Sequence, residues 1–135
     1  MPKGALAIAL ASATVMALAA CGAGERERDA ADVVQRFHAA LEQDDGAAAC
    51  EELGEETRSE LESQEERPCE EAILELDLPK DGRPVNPRVY GTSAAVELAE
   101  GGTDFLDEDS DGWTVSAAGC EPTGPDQPYD CELKG

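Results

Sequence analysis

Five cysteines, one histidine and a run of alternating aspartates are the side chains of this 135-residue chain best suited to chemistry. Cys21 stands apart, because Leu18, Ala19 and Ala20 precede it. Small residues there let a chain enter a protease active site in extended form. Cys50, Cys69, Cys120 and Cys131 form an even set, which outside the cytoplasm argues for two bridges. Three pairings are open to them. Cys50 with Cys69 and Cys120 with Cys131 is favoured, since each joins neighbouring segments. Zinc is the competing use of these thiols. It is disfavoured because there is no C-x-x-C pair and the only histidine is His38.

Asp107-Glu108-Asp109-Ser110-Asp111-Gly112 matches the first half of a calcium loop. Carboxylates at alternate positions can converge on a hard cation, and the glycine permits a sharp turn. The match then fails, because the twelfth position is Ala118 where a bidentate carboxylate is needed. A polar hairpin turn is the preferred reading. Weak calcium binding through Asp107, Asp109 and Asp111 is the alternative.

His38 beside a carboxylate would suit general acid–base work. Helical spacing instead puts it on nearly the same side as Val34 and Leu41, so a partly buried or surface histidine is expected. No G-x-S-x-G motif and no phosphate-binding glycine loop after a strand are present. Trp113 and Tyr129 are read as packing residues before cleft residues. The acidic stretch 51–75 reads as a solvated helical face, with a basic protein partner as the lesser option.

These residues need elements to position them. Lys3 followed by an apolar run through Ala20 has the form of an export signal, and is too short for a spanning helix. The Leu-Ala-Ala-Cys ending resembles the bacterial lipoprotein lipobox. That resemblance implies cleavage before Cys21, lipidation of its thiol, and a cell-membrane anchor with the folded part on the extracytoplasmic face. The expected organisation is a signal peptide over residues 1–20, a lipidated cysteine and tether over 21–28, and one domain over 29–135. The chain carries 31 acidic and 10 basic residues, a formal net charge of −21, which repels nucleic acid and anionic headgroups. A cationic protein or another envelope ligand is the partner class this charge leaves open, and no cofactor is indicated.

Asp29 is expected to cap a first helix carrying Val33, Val34, Phe37, Ala40 and Leu41 at helical spacing, stopped by Asp44-Asp45-Gly46. Short helices follow over 47–53 and 69–76, with 55–66 helical at best. Asp81-Gly82 and Pro84 mark a turn. Strands are expected over 87–90, 94–98, 103–106, 112–118 and 129–133, with glycines at the reversals. Helices first and strands afterwards predict an α+β fold, with N-terminal helices packed on a curved antiparallel sheet of four to five strands.

Val89-Tyr90-Gly91, Ala94-Ala95-Val96, Phe105-Leu106, Gly112-Trp113-Thr114-Val115, Ala117-Ala118-Gly119-Cys120 and Pro128-Tyr129-Asp130-Cys131 carry a wider resemblance. After a helical start, they look like a group of small actinobacterial lipoproteins. Those are similar to the nuclear transport factor two-like fold, a cone of helices against a curved sheet. The resemblance implies a fold and an address. A non-catalytic binding or accessory module is the leading expectation, and an isomerase- or cyclase-like enzyme on the same cone is the runner-up.

Overall fold

The computed structural model describes the backbone of residues 16–135 and the side chains from residue 22. The expected signal segment and the Cys21 thiol lie outside the described residues. Four helices precede five strands: α1 (Met16–Glu42), α2 (Gly46–Glu51), α3 (Glu55–Glu65), α4 (Cys69–Glu75), β1 (Pro84–Tyr90), β2 (Ser93–Leu98), β3 (Thr103–Asp109), β4 (Gly112–Pro122) and β5 (Tyr129–Lys134). The strands form one antiparallel sheet in the order β1-β2-β3-β4-β5, a meander that does not close. This is the expected α+β architecture.

The helices cover one face of the sheet. Val33, Val34, Phe37 and Leu41 of α1 are buried against the apolar sheet residues Val96, Leu106, Val115 and Leu133. Their spacing puts one stripe of α1 inward, as an amphipathic helix requires. α3 inserts only Thr57 and Leu61, and the rest of its acidic circumference stays outside the core. The loop after α2 is sewn to the sheet through the backbone. The Val115 amide donates to the Glu52 carbonyl at 2.8 Å, and the Gly54 amide donates to the Val115 carbonyl at 3.2 Å.

Three expectations differ from the structure. Residues 22–28, expected as a tether, are helical, and Asp29 is not a cap, because α1 runs unbroken through both. The segment alternates good helix formers with its glycines, and Arg28 Nε donates back to the Gly24 carbonyl at 3.1 Å. Arg26 then docks on the sheet, and this tertiary contact supports the extra turns. Pro84 likewise opens a strand where a turn was expected. β1 is an edge strand, where a missing amide is tolerated, and its register shifts between Val85 and Pro87 around Asn86, whose φ is 46°.

Both favoured cysteine pairs are bonded, Cys50–Cys69 and Cys120–Cys131. The first joins α2 to α4, two short helices that could not hold their positions alone. They touch so closely that a Cβ on Gly46 would lie 2.0 Å from the Glu70 carbonyl oxygen. The second joins directly opposed residues of β4 and β5. In the chain-entropy account, closing a loop whose ends are separated by 19 positions in sequence removes about 3 kcal/mol of unfolded-state freedom. The double variant C50S/C69S is expected to lose about 3 kcal/mol of unfolding free energy in urea titrations. A change below ~1 kcal/mol would mean that packing alone holds α2 on α4.

Candidate functional site

His38 and Asp104 form the one buried ionisable contact between helix and sheet among the described residues. The apolar stripe of α1 carries His38 inward beside Phe37, whose ring meets the imidazole edge-on at 5.1 Å. Alternation along β3 sends Asp104 to the same face as Leu106. His38 is 1 % exposed and Asp104 0 %. Nε2 lies 2.5 Å from Asp104 Oδ2, and Nδ1 lies 2.5 Å from the Pro79 carbonyl oxygen. The other carboxylate oxygen accepts the Gly119 amide at 3.0 Å.

Both ring nitrogens therefore face oxygen acceptors, an arrangement that suits an imidazolium donating twice. Burial pulls the His38 pKa down. The hydrogen bond and charge of Asp104, the Pro79 carbonyl and the charge of Asp81 outweigh it, and the net shift is upward.

General acid–base catalysis needs a nitrogen that meets the reacting group. Here neither is free. Gly82 closes over the ring, where a Cβ would lie 2.5 Å from Cγ. The groove that His38 borders together with Gln35, Ala39, Lys80 and Arg83 among others holds about 190 Å³, below the roughly 300 Å³ at which ligand pockets begin. The histidine is thus fully buried, where a partly buried or surface one was expected. It has a carboxylate partner that the reading of the chain did not supply. One signal pointed to it: Asp104 shares strand parity with Leu106, so an inward charge needed a partner, and His38 is the only histidine.

The alternating aspartates do not converge. β3 continues through them to Asp109, which pairs with Gly112 across a two-residue turn. Asp107 accepts the Ser93 hydroxyl at 2.9 Å, and Asp109 accepts the Asp111 amide at 2.8 Å. Their carboxylates are used in strand and turn chemistry. Among the described residues no three histidine, cysteine or acidic side chains are grouped to hold a metal ion.

Trp113 and Tyr129 separate. Tyr129 is 44 % exposed and meets Phe105 edge-on at 5.0 Å, away from the buried helical interface. Trp113 sits on the helix side, opposite Glu108 in the β3–β4 register. Trp113 and Glu108 line a cleft of about 330 Å³ with Asp29, Asp32, Val33, Arg36, Asp111 and Gly112. Arg26 reaches this cleft from α1. Its guanidinium carbon lies 5.3 Å from the Trp113 ring centroid, it pairs with Glu108, and Nη2 donates to the Gly91 carbonyl at 2.6 Å. Arg36 at the rim is held by Glu52 through two bonds, Nε to Oε1 at 2.9 Å and Nη2 to Oε2 at 3.1 Å. The reading of residues 22–28 as a tether hid Arg26, whose partners are 65 and 82 residues away.

Comparison with known proteins gives no match to this chain, whether to family profiles, curated proteins or solved structures.

Asp104→Asn keeps the shape and the bond to Gly119 but strands the charge on His38. It is expected to cost about 2–4 kcal/mol, measured by urea unfolding near pH 6. A raised native pKa stabilises fully below the unfolded value near ~6.5, and the contribution fades as pH climbs through the native value. The gap between wild type and variant should therefore be widest in mild acid and narrow as pH rises. A gap that widens with pH would contradict the charged pair.

Proposed function

We propose that this chain is a lipid-anchored lipoprotein on the extracytoplasmic face of the cell membrane, where its domain serves as a non-catalytic binding or accessory module. Leu18-Ala19-Ala20-Cys21, after a basic start and an apolar run, carries the reading. Cleavage before Cys21 leaves its thiol as the first residue's side chain, and a diacylglyceryl group on sulfur with further acylation gives the two-chain hold that stable anchoring needs.

Several observations support this address. Two disulfides suit an oxidising compartment. A formal charge of −21 disfavours electrostatic adhesion to anionic lipid, so a covalent anchor is the consistent means of attachment. No helix among the described residues is long and apolar enough to cross a membrane. The order of helices followed by an antiparallel meander is what the likeness to small lipoproteins with a nuclear transport factor two-like cone implies.

A binding role is favoured over catalysis by the state of His38. Its nitrogens are engaged and its ring is covered, so the acid–base pair that an isomerase or cyclase would need is committed to the interior. The cleft beside Trp113, in contrast, is open and charged.

Labelled palmitate fed to cells expressing the full chain should enter the protein and follow it into the membrane fraction. Cys21→Ser should abolish the label and leave an uncleaved precursor of higher mass. An unlabelled wild-type chain in the cytosol with its leader intact would overturn the proposal.

A further inference from the structure

We infer that Trp113, Glu108 and the Gly91 carbonyl form a recognition site for an arginine side chain of a basic protein segment, and that Arg26 fills this site in cis. The inference specifies the ligand of the binding module proposed above, but it does not depend on lipid being attached to Cys21.

Three different chemistries meet on one guanidinium. The Trp113 face supplies a cation–π contact, the Glu108 carboxylate supplies opposite charge, and the Gly91 carbonyl supplies a hydrogen-bond acceptor. A planar fork of donors suits such a box better than the compact ammonium of lysine. Carboxylates around the cleft would by themselves mark only a solvated face. The guanidinium seated on the aromatic ring is what identifies the ligand class.

The site is built to exchange its occupant. Trp113 is 8 % exposed, while the side chains of Arg26 and Glu108 are 39 % and 31 % exposed, so solvent and solutes reach the charged end. Arg26 is the only described residue of the 22–29 stretch whose side chain bonds to the sheet. Gly22 and Gly24 in the same stretch have no neighbouring atoms within 4 Å of where a Cβ would stand. Releasing Arg26 therefore breaks few other contacts and uncovers the ring.

The charge around the box also exceeds what Arg26 can balance. Asp29, Asp32, Glu108 and Asp111 line the cleft, while Arg36 is already bound by Glu52. A segment with two or three arginines could replace Arg26 in the box and place its remaining charges against Asp29 and Asp32.

Trp113 is the only tryptophan, so its emission reads the site directly. The full chain, purified in mild detergent, is titrated with methylguanidinium and with tri-arginine and tri-lysine peptides, with circular dichroism confirming the fold. In R26A, methylguanidinium should shift the emission saturably, and E108Q added to R26A should weaken that binding by about tenfold or more. Tri-arginine should bind the wild-type chain, bind R26A more tightly, and outcompete tri-lysine in both. R26Q, which keeps the stem over the ring, replaces R26A if that variant unfolds. A flat titration of R26A, or binding indifferent to E108Q, would overturn the site. A wild-type chain that ignores tri-arginine while R26A binds it would overturn the partner. Neither failure touches palmitate labelling at Cys21, so the anchoring proposal is tested separately.

Discussion

The contact that ties this fold together is the one between His38 and Asp104. It joins the longest helix to the third of five strands and reaches the α4–β1 connection through the Pro79 carbonyl. An imidazole deep in an apolar core is costly unless each nitrogen is satisfied. Here Asp104, Pro79 and the Gly119 amide complete a closed network, and no described buried side-chain nitrogen or oxygen lacks a partner. The requirement fixes geometry as well as energy. α1 cannot rotate or slide on the sheet without leaving a charge stranded. Gly82 is needed beside it because no other side chain leaves room for the ring.

With α1 pinned, the remaining elements fall into place by weaker means. The helices α2 and α4 are too short to be stable alone, and the Cys50–Cys69 bond and the backbone stitch at Val115 hold them against α1 and β4. The same pinning sets the direction in which α1 continues toward its N-terminus. That path carries Arg26 over the β3–β4 hairpin and builds the cleft at Trp113. The interior charge network and the surface recognition chemistry are thus two consequences of one helix axis. They divide the titratable groups into a set committed to structure and a set open to solvent.

Much of this arrangement was legible in the chain. The spacing of Val33, Val34, Phe37 and Leu41 marked α1, and the glycines at 91, 101, 102 and 112 marked the reversals of the meander. Neighbouring cysteines indicated both bonds. What escaped was long-range in origin. The helix over 22–28 owes its support to a contact with residues far along the sequence, which no local propensity records. Pro84 reads as a breaker until β1 is known to be an edge. Asp104 looks like one more surface carboxylate in a chain with 31 acidic residues, and only its parity with Leu106 sets it apart. The alternating aspartates form the polar hairpin turn that was the preferred reading, since a two-residue hairpin uses the same residue types as half a calcium loop.

The central claim is that the sole histidine serves as a doubly bonded brace and is withdrawn from chemistry. Nitrogen-15 NMR of the imidazole at about pH 6, below the ordinary histidine value from which His38 is raised, tests this directly. The account predicts that both Nδ1 and Nε2 carry protons, with both N–H signals protected from exchange with water. A neutral ring with one bare nitrogen, or ring protons exchanging freely with solvent, would contradict it and return His38 to the list of groups able to act on a substrate.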